Sequence, residues 1–458
     1  MMTESEFPTE FASGWKDMTQ PELDESMRLH HMFKLGQLGG KRANLSFRNL
    51  SYRDLSNHDL SDADFSGCRA QHANFRGTNL SAANLFAADL RASDLTNAIL
   101  TRADLRGACV RGAVLTNAEM HEVDLRAGVL LKSDRRGNLA MMTFDMNVAD
   151  LGNAVIRGAD LTGAKLSNAF IMQTDLTDAI LRNAKLQKAD LSQSNLTGSV
   201  LEGADLSEAN LTGAIFHGAI LARAIMHGTK LEGADLTGAM LDDLDKSRTD
   251  FSKARLPRHL DSLGASLKEV LIQHTQWIHS SGKTGRRAEL ARFDLSRQNL
   301  EGANLSAASL ELTVLRGADL SKANLLMADM SYADLREADL SYADLRGASL
   351  RRANLTGARL VGTRVGPVDI LGSSTHIWSA NLENAKLLNT NLNGAEFRRA
   401  KMQSVNFTGA TMTGAVFKHA NLQDAIFTRA DTRGADFEKA DTRGTVDLHG
   451  PEPDDDAR

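Results

Sequence analysis

The sequence predicts an all-β solenoid, a chain that coils into rods of square cross-section instead of folding around one globular core. Three observations predict it. Leu, Phe, Met or Val recurs at almost every fifth position, preceded by Asp or Asn and, one further back, by Ala, in the pattern Ala-(Asp/Asn)-Leu-x-x. That pattern persists through four long runs. The composition suits a narrow interior of small and aliphatic side chains: 42% apolar but 5% aromatic, with 36 glycines and six prolines in 458 residues.

A period of five matches neither the helix period of 3.6 nor the strand period of two. It is satisfied by a chain that turns a corner every five residues. The central Leu and the Ala two residues earlier then point inward, and the other three positions point outward. Four sides close a coil of twenty residues, and coils stack at the inter-strand spacing of about 4.8 Å with backbone hydrogen bonds along the axis. Ala is small because the corners crowd the interior, while Asn, Asp, Ser, Thr and Gly serve the turns.

The first run extends from Ala43-Asn44-Leu45 to Leu125, seventeen repeats with Ala70 the one small central residue. The second starts at Ala149-Asp150-Leu151, shifted by one, and reaches Leu241 in nineteen. The third spans Leu290 to Val365 in sixteen, and the fourth, shifted by two, spans Leu382 to Thr442 in thirteen. The breaks at 126–148, including Lys132-Ser133-Asp134-Arg135-Arg136-Gly137-Asn138, and at 366–379, including Pro367 and Trp378, predict a loop or hairpin budding from the coil. A recognition loop is the sharper alternative, since binding often sits on loops held by a rigid scaffold.

Solenoid ends expose core and unpaired backbone, so they need caps. Thr19 is placed to cap a helix with Pro21 in its first turn and Leu23 and Met27 on one face. Leu260, Leu263, Leu267, Val270, Leu271, His274 and Ile278 fall at helical spacing before the third run. The halves repeat one plan: His31-Met32-Phe33 then Gly39-Gly40 precede one rod, and His274-Thr275-Gln276-Trp277 then Gly282 and Gly285 precede the other. The expected organisation is an amino-terminal segment and cap helix at 1–42, a first β-helix at 43–256, a helical linker or cap at 257–287, a second β-helix at 288–444 and a disordered acidic tail at 445–458. Phe397, Phe417 and Phe437 should stack on one side near the far end, with Phe407 and Phe427 opposite.

These repeats resemble the pentapeptide-repeat family over residues 43–256 and 288–444. The resemblance implies two right-handed quadrilateral β-helices of pentapeptide repeats, each with a helical N-terminal cap on the reading above. It also implies a range of roles: several members are resistance proteins that bind DNA gyrase as DNA mimics, and most have no known activity.

No catalytic constellation emerges. Ser281-Gly282-Lys283-Thr284 echoes a phosphate-binding loop, but Trp277 stands where that motif needs glycine. His274 and His279 lack the glutamate of a zinc-protease helix, and His30 and His31 read as part of a cap. Asp319, Asp329, Asp334, Asp339 and Asp344 recur by period and form no convergent carboxylate pair. Cys68 and Cys109 have no metal-type spacing. In register, Cys68 points inward and Cys109 outward, about 10 Å apart, too far for a disulfide. No metal, cofactor or small-molecule substrate is expected, and the chain is expected not to be an enzyme.

A net charge of -5 and a pI near 6.2 argue against direct nucleic-acid binding. No run of eighteen apolar residues exists to span a membrane, and the acidic start Met1-Met2-Thr3-Glu4-Ser5-Glu6 lacks a secretory h-region, so a cytoplasmic location is expected. Every twentieth residue maps one face of the first run to Arg69, Arg91 and Arg111, opposite Asp59, Asp62, Glu119 and Glu122, a polarisation that can steer a partner. In the second run Ile180, Val200, Ile220 and Met240 stand where Asp or Asn is expected, an apolar ridge with Ile215 and Ile225 on neighbouring faces. Contiguous apolar surface marks something that covers it: the linker helix, the second rod, a second copy or an unidentified protein partner. The expected function is a scaffold for protein binding, with a DNA-mimicking, gyrase-binding protein as the alternative.

Overall fold

A computed structural model describes residues 15–128, 130–133, 139–142, 149–370 and 376–448. The acidic stretch from Pro451 and residues 134–138 of the first break therefore lie outside the described residues. The chain divides into two compact units, Met1–Arg255 and Leu256–Arg458.

Within each unit, residues twenty apart pair in parallel, as in the ladder Asn44–Asp64–Asn84–Asp104–Asp124. The Leu45 amide donates to the Asp64 carbonyl one coil on (2.6 Å), and the Asp64 amide donates back to Ala43 (3.1 Å). Most corners close in the type II pattern: the Ala63 amide donates to the Leu60 carbonyl (3.1 Å), and Asp62 has φ 62°. The side chain before each central residue makes that corner cheap. Asp54 Oδ1 accepts the Ser56 amide (3.0 Å) and also the Asn74 side-chain amide from the next coil (2.9 Å). The Ser56 amide holds the Asp54 carboxyl below the usual carboxylate range. Asp and Asn thus alternate as acceptor and donor up the stack, as again in Asn79 to Asp59 and Asn84 to Asp64.

The interior is the expected column of Leu and Ala, nearly all fully buried. Where Thr replaces the inward Ala, its hydroxyl finds the carbonyl of the coil before: Thr78 donates to Leu55, Thr313 to Leu290 and Thr363 to Leu340, each at 2.8 Å. Phe397, Phe417 and Phe437 stack at 5.0 Å between ring centres, and Phe407 and Phe427 stack at 4.9 Å. The two columns meet edge to face at 5.9 Å.

Both breaks are antiparallel hairpins, β3 (Leu130–Ser133) with β4 (Leu139–Met142) and β5 (Val368–Ile370) with β6 (His376–Trp378). The ladder passes beneath them. Cys109 pairs with Asp150, forty-one residues on instead of twenty, and Ser349 with Asn381, thirty-two on. The excess over a multiple of five is one and two, which is the register shift in the sequence. The second hairpin leans on Gly347 (φ 68°): a Cβ there would meet Trp378 Cδ1 and Val368 Cγ2 at 3.1 Å, and Trp378 Nε1 donates to the Gly347 carbonyl (3.0 Å). Gly347→Val should lift this hairpin and further expose Trp378, which is already 55% exposed. Its fluorescence should shift to the red and quench more readily, with stability falling by about 1–2 kcal/mol for a β-branched residue at positive φ.

The amino-terminal edge of unit 1 is occupied by residues 15–42. β1 (Lys16–Asp17) pairs in parallel with β2 (Arg48–Asn49) in the first coil. α1 (Gln20–Lys34) starts at Thr19, whose amide donates to Glu22 (2.8 Å), and it buries Leu23 and Met27 in the unit's core. The Gln20 side-chain amide donates to the Asp54 carbonyl (2.8 Å) and accepts the Asp54 amide (2.9 Å), standing in for a missing strand.

In unit 2 the sequence pattern suggested one helical stretch over 260–278, and the structure breaks it. A 3-10 turn at Leu260–Leu263 ends on Gly264 at φ 74°, and α2 (Leu267–His279) starts afresh with Ser266 accepting the Glu269 amide (3.1 Å). Leu267, Val270 and Leu271 pack against unit 2's own core.

Cys109 departs from expectation: it is 7% exposed, not outward in solvent. Its rung lies between Asp89 and Asp150, which draw Arg91 and Arg111 back across the ladder. Burial pushes its thiol up to about 11, and both cysteines are free.

Candidate interaction surface

Ile180, Val200, Ile220 and Met240 occupy successive rungs of one ladder, each paired with the next. The first three are half-buried, whereas Met240 is 4% exposed and contributes little outward surface. Ile215 (37%) and Ile225 (41%) are exposed on the neighbouring faces.

This ridge has a local cost. At the corresponding position of an ordinary coil, Asp or Asn accepts the amide two residues on, as Asp160 does from Thr162 (2.9 Å) directly below Ile180. Ile and Val have no oxygen to offer. The amides of Arg182, Glu202 and Ala222 therefore lose the acceptor that the repeat normally supplies, three coils running. Apolar side chains at a half-exposed position, replacing a stabilising turn contact, need another reason to be there.

The corner beside the ridge carries ions. Arg223 pairs with Glu202 Oε1, and Arg182 Nε lies 3.3 Å from Glu202 Oε2, so two guanidinium groups share one carboxylate. Their hydrogen bonds hold the Glu202 carboxyl below its usual range. A shallow cleft runs between Arg182, Asn183, Glu202, Gly203 and Arg223. Reading only the ridge position in the sequence missed this rim. The signal was available, since these residues fall two or three places after ridge residues on the same corner.

The candidate charged face is brought together but largely neutralised. Arg91 forks onto Asp89, with Nε and Nη2 at 2.8 and 2.7 Å from its two oxygens, and Arg111 pairs with Asp150. The Arg69 guanidinium lies 4.1 Å over the Trp15 ring. Opposite, Asp62 meets Lys34 (2.9 Å) and Glu122 meets Arg102 (3.0 Å). Most of the charges named on these two faces are thus paired locally.

His30 and His274 are fully buried against the first coil of their units. The residues Asp319, Asp329, Asp334, Asp339 and Asp344 sit on ladder rungs as turn acceptors. Among the described residues no group of His, Cys, Asp or Glu is arranged to hold a metal, and no helix is long and apolar enough to cross a membrane.

Comparison with known proteins gives one family and several solved structures. The family described as pentapeptide repeats matches the chain in overlapping stretches across 42–117, 145–258, 299–365 and 379–445. No curated protein matches. Among solved structures, similarity extends to HetL, a pentapeptide repeat protein involved in heterocyst differentiation regulation from the cyanobacterium Nostoc sp. strain PCC 7120: 25% identity, 78% of this chain, all of that one, TM-score 0.28. QnrB1, a plasmid-mediated fluoroquinolone resistance protein, is 18% identical over 50% of this chain and 97% of its own, TM-score 0.32. Rfr23 from the cyanobacterium Cyanothece 51142 is 27% identical over 28% of this chain and 90% of its own, TM-score 0.18.

Proposed function

The chain belongs to the pentapeptide-repeat family, whose members form right-handed β-helices, and from that premise we propose that it is a non-catalytic scaffold that binds protein. Each unit is a β-helix with its own helical cap, α1 for the first and α2 for the second. The binding face is the ridge Ile180, Val200 and Ile220 with the Arg182–Glu202–Arg223 rim. The observation that carries this reading is the run of three coils that give up their turn acceptor for a half-buried apolar side chain. The partner is a second protein or a second copy of this chain. Neither a nucleic acid nor a membrane is expected, because acid and base pair off along the faces.

Ile220→Glu tests the assignment. The residue is half-buried at the surface, so the variant should keep its fold, with stability within about 1 kcal/mol of the parent. It should lose the partner, or fall to half its mass if the partner is a second copy, as read by light scattering after size exclusion. Unchanged mass together with unchanged partner binding would remove the ridge from the account.

A further inference from the structure

The two units begin with the same polar device, though their sequences around it differ. In unit 1, His30 of α1 accepts the Ala43 amide at Nδ1 (3.0 Å) and bonds the Ser61 carbonyl through Nε2 (3.0 Å). In unit 2, His274 of α2 accepts the Ala288 amide at Nδ1 (3.0 Å), with its Nε2 buried. Ala43 and Ala288 are the first inward residues of their β-helices. Both rings are completely buried, and both stack on an aromatic residue three places on, Phe33 at 5.9 Å and Trp277 at 5.7 Å. Each imidazole therefore satisfies backbone at the very edge where no earlier coil exists to do so.

This geometry admits one protonation state. An Nδ1 that accepts an amide cannot carry a proton, so the ring is neutral with its hydrogen on Nε2, directed in unit 1 at the Ser61 carbonyl. A second proton would set two donors against each other at 3.0 Å inside a buried contact. The surroundings are mixed. His30 is faced by Lys34 of its own helix and by Asp59 and Asp62 of the first coil, and His274 by Arg287 and Glu289 of the segment entering the coil. Burial is the largest influence at both, and it lowers both rings below the ordinary histidine value.

We propose that His30 and His274 are paired acid-sensitive latches: protonation at Nδ1 breaks the bond to the first coil, frees α1 or α2, and opens the amino-terminal edge of that β-helix. The sign follows from linkage. The released ring binds a proton more readily than the latched one, so the latch holds fully above about pH 6.5, and opening grows as pH falls below that value. Between pH 7.5 and 5 the opening equilibrium should rise by up to about thirtyfold per latch, the limit for a ring titrating near 6.5 when free. An opened edge presents unpaired strand backbone to any second chain.

Hydrogen exchange read by mass spectrometry, corrected for the intrinsic pH dependence of amide exchange, tests this on the full chain. Segments covering 20–45 and 267–290 should both lose protection between pH 7.5 and 5, while the mid-rod segment 320–345 should not. His30→Asn keeps an acceptor for the Ala43 amide but cannot titrate in this range, so it should remove the pH response from 20–45 and leave that of 267–290. His274→Asn should do the converse, so each variant carries the other latch as its folded control. Acid-independent protection of both segments in the parent overturns the proposal. So does an acid response that persists at 20–45 in His30→Asn and at 267–290 in His274→Asn.

Discussion

Replacing Phe417 by Ala should cost unit 2 about 4 kcal/mol and loosen the coils on both sides of the gap. Phe417 is fully buried, stacked at 5.0 Å on Phe397 and on Phe437, and edge-on to Phe407 at 5.9 Å. Truncating a buried Phe costs about 3–5 kcal/mol, with the upper part of that range reached where the surroundings cannot collapse. Here they cannot, because each coil is pinned by backbone ladders above and below. The lost aromatic contacts add to the cavity. In a solenoid each coil supports only its neighbours, so the damage should stay local. Exchange protection should fall across 395–440 and remain at parental levels in unit 1. Phe437→Ala should cost roughly half as much, since that ring is already part-exposed on the last described coils.

The second large effect is expected at Asp89. Its side chain is fully buried, takes both Arg91 nitrogens, and accepts the Gln71 side chain at 2.5 Å. Asp89→Ala leaves Arg91 and Gln71 without that acceptor. Removing one partner of a buried pair costs about 3–5 kcal/mol. Because Arg91 is a third exposed and can turn toward water, about 2–3 kcal/mol is expected here. Asp89→Asn should cost less, since Oδ1 survives to accept the Arg91 amide and Asn is the other residue the repeat uses at this rung. By contrast, Arg433→Ala removes an 86% exposed side chain from Asp431 and should change stability by no more than about 0.5 kcal/mol. Urea unfolding of the three variants would rank them. An Asp89→Ala loss no larger than that of Arg433→Ala would show that the buried rung is not a structural requirement.

Much of this molecule is legible in its sequence because the repeat couples one residue type to one physical task. A central Leu, an inward Ala and an Asp or Asn at the turn recur with period five, so face and rung follow from residue number. That is how the Phe columns and the ladder of Ile180, Val200, Ile220 and Met240 could be placed before any coordinates. Legibility ends where a side chain is long enough to leave its own position. Cys109 occupies an outward position yet is buried, on a rung between Asp89 and Asp150, whose carboxylates hold Arg91 and Arg111. The charged face of Arg69, Arg91 and Arg111 has the expected residues, but partners two residues away or one coil on neutralise Arg91 and Arg111. The paired latches were hidden for another reason. His30 lies thirteen residues before Ala43 and His274 fourteen before Ala288, so their spacing to the coil differs, and the shared Nδ1 acceptor, with the aromatic residue three places on, shows them to be equivalent.

The most direct test of the scaffold account is a comparison of three baits: the parent chain, Ile220→Glu on the ridge, and Arg76→Glu on a different face. Each would be used to capture proteins from a lysate of the source organism, with quantitative mass spectrometry as the readout. The account predicts one protein, or untagged copies of this chain, retained in stoichiometric amount by the parent and by Arg76→Glu and lost from Ile220→Glu. Equal retention by all three baits would contradict it by placing the binding face elsewhere, and a parent that retains nothing and is monomeric would contradict the proposal that this ridge binds protein.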